Sequence, residues 1–232
     1  MTLENNDVIE GFLSSNVDRT VQVWISKGRG YIGVTSALRH ELGWKREISV
    51  KDATALLALC EREDGGFAEH VPSENDEIER KFLVEEAFRG EVIKSTEIHQ
   101  GYLNSDPART VRIRITDGVA EFTVKGIGSA SGASRFEWEC DVELEHALAM
   151  FDVCEPGVVH KIRHIVPTGD HIVQVDEMLD LNAGLVMGEI EFSYVGEEFV
   201  RPSWLGTEVT GDNRYYNACL AKHPFKDWPK GE

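Results

Sequence analysis

The sequence predicts an α+β protein: a closed antiparallel β sheet with helices packed outside, preceded by a smaller hairpin and helix unit. Three observations carry this. Short segments alternate charged and apolar residues with the two-residue period of strands. The charges segregate by sign from one segment to the next, as Glu77/Glu79, Arg112/Arg114, Glu137/Glu139, Lys161/Arg163 and Glu189/Glu191. Residues 19–25, RTVQVWI, also run parallel to residues 109–115, RTVRIRI, in a register that continues without a gap to Val34 and Val124.

Taken in order, residues 8–13 hold one apolar cluster and read as a short helix. Residues 19–25 and 31–35 read as strands joined at Lys27-Gly28-Arg29-Gly30, followed by a strand at 45–50 and a helix at 52–60. That helix, with ALLALCE at 55–61, matches ALAMFDVCE at 147–155, so part of one unit occurs twice. The first copy is a degenerate one. It has Gln22, Trp24 and Thr35 where the second has Arg112, Arg114 and Lys125, which suits a structural or dimer-forming role, and a homodimer is expected. The chain divides into a 1–72 extension, a 73–222 tunnel unit and a 223–232 tail, with the linker around residues 62–76.

The second unit opens with EIERKFLV, where alternation sets Glu77, Glu79 and Lys81 against Ile78, Arg80 and Phe82. Residues 85–95 read as helix or loop, 98–103 as a strand, and 110–116 and 120–125 as a hairpin around Asp117-Gly118. A Gly/Ser/Ala loop at 126–134 precedes a strand at 135–140, a helix at 144–153, and strands at 160–165, 172–177 and 186–192. Phe136, Trp138, Met178 and Leu179 are expected to pack on the outside. His99, His160 and His164 are expected outward or packed.

A solvated sheet face mixes charge signs along each strand. Segregated signs on successive strands instead place like charges where only a ligand relieves them. A closed sheet then has an interior of Glu77, Glu79, Glu137, Glu139, Asp176, Glu189 and Glu191 facing Lys81, Arg112, Arg114, Lys125, Lys161 and Arg163. Such an interior is costly to desolvate, and binding an oxyanion together with hard cations is a reason to keep it. The formal charge of -17 excludes extended contact with nucleic acid or anionic membrane. Four scattered cysteines, Cys60, Cys140, Cys154 and Cys219, lack metal-site spacing. With no apolar run of signal or span length, they make the cytoplasm the expected compartment.

These motifs resemble the CYTH domain of the triphosphate tunnel metalloenzyme superfamily, nearest to its short bacterial inorganic triphosphatases. The resemblance rests on E-x-E-x-K at 77–81, HQGYL at 99–103, Arg112-x-Arg114, TVKG at 123–126, Glu137-x-Glu139, Lys161-x-Arg163, Val175-Asp176, Glu189-x-Glu191 and RPSWLGTEVTGDNRYYN at 201–217. It implies an eight-stranded tunnel that hydrolyses or cyclises triphosphate compounds with Mg2+ or Mn2+. It implies metal binding by Glu77, Glu79, Glu189 and Glu191, with Asp176, Glu137 and Glu139 holding metal or positioning water. It implies phosphate binding by Lys81, Arg112, Arg114, Lys125, Lys161, Arg163 and Arg214, with Lys81, Lys161 and Asp176 at the reaction itself. Cys219 stands where short members tend to have a lysine, which puts one peripheral contact in doubt.

The expected reaction is hydrolysis of tripolyphosphate to pyrophosphate and phosphate. The rivals are thiamine triphosphate, nucleoside triphosphates or an RNA 5′ end as substrate, adenylate cyclisation, and a polyphosphate-binding module without turnover.

Overall fold

The computed structural model describes residues 8–61 and 76–229. The expected linker lies outside the described residues except for Asp76, which opens a strand. The amino-terminal unit is a four-stranded antiparallel sheet in sequence order, β1 (Ile9–Ser14), β2 (Thr20–Ser26), β3 (Arg29–Thr35) and β4 (Gly43–Ile48), followed by helix α1 (Val50–Leu57). Residues 9–14 are thus a strand and not the expected helix: alternate positions Glu10 and Phe12 pair with Trp24 and Gln22 on one face of the sheet. The Lys27-Gly28 turn has both residues at positive φ, 51° and 72°, the geometry whose twist suits a two-residue hairpin. Ser49 caps α1 by accepting from the Asp52 amide at 3.0 Å.

The second unit comprises β5 (Asp76–Val84), β6 (Lys94–Asn104), β7 (Arg109–Thr116), β8 (Val119–Gly128), β9 (Ser134–Val142), α2 (Leu144–Phe151), β10 (Val159–Thr168), β11 (His171–Met178), β12 (Val186–Glu191), β13 (Leu205–Glu208) and α3 (Asn217–Lys222). The strand order is β12-β11-β10-β6-β7-β8-β9-β5, and β5 pairs back onto β12. This closes an antiparallel barrel of eight strands, with β13 appended beside β5. Closure removes the free edges and fixes inward and outward positions on every strand. Residues 86–91, read as helix or loop, form a short 3-10 turn that buries Phe88.

The repeat reaches further than sequence alone indicated. β1 through α1 correspond element by element to β6 through α2, including the turn at Asp117-Gly118 with φ of 48° and 81°. In both units a glycine admits the cysteine that follows the helix: a Cβ on Gly11 would lie 2.8 Å from Cys60, and one on Gly101 would lie 2.8 Å from Cys154. Each unit also repeats one backbone bond, Glu61 N to Phe12 O and Glu155 N to Tyr102 O, both at 2.7 Å.

The apolar faces of the two units share one core. Val21, Val23, Ile32, Trp44 and Leu56 from the first pack with Val111, Ile113, Phe122, Trp138 and Met150 from the second, and Trp44 stacks on Phe122 with centroids 5.3 Å apart. A second cluster, around Phe82, Phe88, Val175 and Trp204, covers the opposite outer wall. A third joins Tyr102, Val159, Met178 and Met187 to Leu220 of α3, with Phe225 and Trp228 of the tail packed against it. Met178, expected on the outer face, follows Gln174 and Asp176 onto the inner one, where it forms part of an apolar floor at one end of the barrel.

Because the units share a core, they should unfold together. Trp44→Ala is expected to lower stability by about 3–5 kcal/mol in a single denaturant transition. Two separated transitions would show independent cores.

Candidate active site

Closing the sheet turns the alternating charges inward around a cavity of about 870 Å³. Its wall includes Glu77, Glu79 and Lys81 from β5, Arg112 and Arg114 from β7, and Lys125 from β8. Glu137 and Glu139 from β9, Arg163 from β10, and Glu189 and Glu191 from β12 also line it, so all the expected residues except Lys161, Asp176 and Arg214 meet there. The intervening residues Val111, Ile113, Phe122, Val124 and Trp138 face the shared core. Strand alternation therefore divides the work: apolar burial holds the wall and the inner face carries charge.

Most of these charges sit beside one of opposite sign, while Glu191 accepts from Gln174 at 3.0 Å. Lys125 Nζ donates to Glu77 and Glu137, each at 2.6 Å. Lys81 donates to Glu189 and lies 3.9 Å from Glu79. Arg163 grips Asp176 with two bonds of 2.7 Å and also donates to Glu189 at 2.7 Å. Arg112 donates to Thr123 at 2.6 Å and to Glu139 at 3.1 Å, while its Nε is buried without a hydrogen bond. Arg114 donates to Glu121.

Burial opposes every one of these charges, and the neighbours decide the outcome. For Lys161, burial assisted by Arg163 prevails over Asp176 and brings the ammonium down to about 8. For Asp176, burial is outweighed by Arg163 and Lys161, and the carboxyl titrates below its ordinary range. For Glu189, Lys81 and Arg163 overcome burial by a wider margin. Glu77 and Glu191 go the other way. Burial raises both, more than Lys125 offsets for Glu77, and the charge of Glu77 adds to the rise at Glu191.

Two expected residues stand behind the cavity wall. Lys161 is 1% and Asp176 0% exposed, with Lys161 Nζ donating to Asp176 at 2.5 Å. The register sets Arg163 opposite Asp176, so both carboxylate oxygens are already engaged by cations. Asp176 thus contacts Lys161 and Arg163. Arg214 does not join the cavity. The turn at residues 213–215 carries it outward, where it pairs with Asp212 at 2.9 Å and stacks over Tyr215 and Trp228.

Sequence reasoning missed Arg135, Glu121 and Gln174. Arg135 lines the cavity 3.8 Å from Glu77 and 3.7 Å from Glu79, and its guanidinium lies over the Tyr216 ring. It holds a raised pKa because the attraction of Glu79 and Glu77 outweighs its burial. The signal was present, since Arg135 continues the inward alternation of Glu137 and Glu139. Gln174 bridges Arg163 to Glu191.

The donor set fits a hard divalent cation. Glu79 stands directly opposite Glu191 where β5 meets β12, and like charges so placed repel unless a cation lies between them. Glu77 adds a third carboxylate to that side. A different group, Glu97, His99 and His160, projects from the outer wall. His160 contacts Glu97 at 2.7 Å and Asp180 at 2.9 Å, and its ring stacks on His99. These residues alternate with inward Ile98 and Lys161 and do not reach the tunnel.

A family profile for the CYTH domain matches residues 75–216. The chain belongs to the CYTH family. Among curated relatives, the inorganic triphosphatase of Acetivibrio thermocellus is 37% identical over 153 residues, covering 66% of this chain and 97% of that protein. The inorganic triphosphatase of Nitrosomonas europaea is 32% identical over 149 residues, covering 62% and 96%. A solved structure, the inorganic triphosphatase NE1496, superposes with a TM-score of 0.47 at 30% identity, over 62% of this chain and 96% of that one.

Asp176 is the shared counter-ion of Lys161 and Arg163 in this CYTH barrel. Asp176→Ala is expected to cost about 3–5 kcal/mol in urea unfolding, because it leaves Lys161 and part of Arg163 uncompensated in the interior. A loss below about 1 kcal/mol would show that Glu189 alone suffices.

Proposed function

We propose that this protein hydrolyses inorganic triphosphate to pyrophosphate and phosphate inside the tunnel, using Mg2+ or Mn2+. The observation that carries this is the cation row of Lys81, Arg112, Arg114, Lys125, Arg135 and Arg163 around one cavity, with Arg112 Nε left without a partner. Two relatives named inorganic triphosphatase, matched over nearly their whole length, support the substrate. Catalysis belongs to residues 73–222, and the 1–72 copy, neutral at three of the cationic positions, is structural.

In this reading the cations hold the phosphate oxygens and neutralise charge as it moves to the leaving pyrophosphate. Glu77, Glu79, Glu189 and Glu191 would hold the metal. When bound, it would polarise phosphate oxygens and lower the pKa of water. Glu137, on the strand beside β5 and sharing Lys125 with Glu77, and Glu139 also line the cavity, and Glu139, the more exposed of the two, positions the attacking water. Lys161 and Asp176 act from behind the wall by orienting Arg163. The four free thiols suit the cytoplasm, and no helix among the described residues is long and apolar enough to cross a membrane.

Phosphate release should be fastest from tripolyphosphate when it is compared in parallel with ATP, thiamine triphosphate and pyrophosphate, and should stop on chelation. Faster release from another substrate would replace tripolyphosphate in the assignment, and failure on all of them would leave a binding module. Arg114→Ala should lower turnover about 100-fold or more with little change in melting temperature, since it also relieves interior charge. Near-normal release from that variant would remove Arg114 from the site.

Metal binding should also carry a pH signature. Glu77 and Glu191 have folded pKa values raised above the usual 4.5, so they take up protons earlier than free side chains as the solution is acidified. The rise in melting temperature produced by Mg2+ is therefore greatest near neutrality and fades as pH falls toward that range, starting above 4.5. A metal-induced shift that persists unchanged down to pH values below about 4 would place the metal elsewhere.

A further inference from the structure

The two units meet as the halves of a dimer would. Arg19 and Arg109 are equivalent positions of the repeat, and so are Glu61 and Glu155. Arg19 of the first unit pairs with Glu155 of the second at 3.7 Å, and Arg109 of the second pairs with Glu61 of the first at 3.8 Å. This reciprocity, in which i meets j and j meets i, is the signature of a twofold interface. Buried residues on the two sides are also equivalents: Leu13 with Leu103, Val21 with Val111, Val23 with Ile113, Ile32 with Phe122, Trp44 with Trp138, and Ala53 with Ala147.

We propose that the outer face formed by β6–β9 and α2 is self-complementary, and that residues 8–61 fill it from within the chain, holding the place of a second copy of that face. The homodimer expected from the sequence is thus met internally, and the protein is a monomer with one tunnel. The partner this face fits is its own motif, four antiparallel strands and a helix. The apolar surface supplies the affinity, and the two partly exposed ion pairs set the register. This proposal rests on the repeat and its contacts and is independent of the reaction assigned to the tunnel.

A definite consequence separates it from simple burial of an extension. If the first unit is dislodged, the freed face of one chain should take the same face of another, with Arg109 and Glu155 pairing across the new twofold axis. Arg19→Glu with Glu61→Arg sets like charges against Glu155 and Arg109 within the chain but leaves the pairing of two second units intact. Val23→Asp, which puts a carboxylate at a site 0% exposed in the shared core, dislodges the first unit by a separate route.

The test is the mass of the full chain by light scattering over a wide concentration range, with limited proteolysis to report whether residues 8–61 are released. The wild-type chain is expected at 26.0 kDa throughout, and the charge-reversed and Val23→Asp chains are expected to reach twice that mass as concentration rises. Adding Arg109→Glu and Glu155→Arg to the charge-reversed chain restores both internal pairs with opposite polarity and should return it to a monomer. A wild-type dimer would overturn the proposal whatever the variants do. So would a variant whose first unit is cleaved away while its mass stays that of one chain.

Discussion

The pairing of β5 with β12 is the constraint from which the rest of the structure follows. Until those strands meet, each segment is an amphipathic ribbon whose charged side could remain in water. Once they meet, every inward residue is committed to a shared interior, and Glu79 is committed to standing across from Glu191. The cost of gathering these charges is offset in two ways: outside, by apolar clusters on opposite walls, and inside, by setting acids beside bases. The inner face can therefore be specified for binding because the outer face carries the folding.

The first unit shows what the same motif becomes without closure. Its open face substitutes Trp24 for Arg114 and Tyr31 for Glu121; their rings stack, and Lys45 sits 4.0 Å above the tyrosine ring. An unclosed sheet cannot enclose a ligand, and its charges would be screened by solvent. The buried face, by contrast, keeps its residues nearly position for position. Packing is retained where it is still required, and the binding residues are lost where they no longer converge.

Much of this was legible because alternation is a local property. A reader of EIERKFLV can assign Glu77, Glu79 and Lys81 to one face without knowing what lies opposite. Which residues then meet depends on register, which no single strand reveals: only the pairing of Arg163 with Asp176 shows that this carboxylate is enclosed by cations. Arg135 was overlooked because it follows a Gly/Ser/Ala stretch read as loop, although β9 begins at Ser134. The helix expected at residues 8–13 was avoidable, since Gly11-Phe12-Leu13 stands before Arg19 as Gly101-Tyr102-Leu103 stands before Arg109. Arg214 could be placed only by the turn that points it toward Trp228 in the tail.

The internal matching of the tunnel has a thermodynamic corollary. Glu77, Glu79, Glu137, Glu139 and Glu189 each have an ammonium or guanidinium beside them, so neither ligand enters a field prepared for it alone. A polyanion that takes over Arg163 and Lys81 leaves Glu189 without its counter-charges. A cation that takes Glu77 leaves Lys125 in the same position on one side. Each ligand supplies the charge that the other displaces, so the free energy of binding both exceeds the sum of the two separate bindings. In the proposed reaction, self-neutralisation of the barrel thereby favours a metal and a chain of phosphates arriving together over either one in excess.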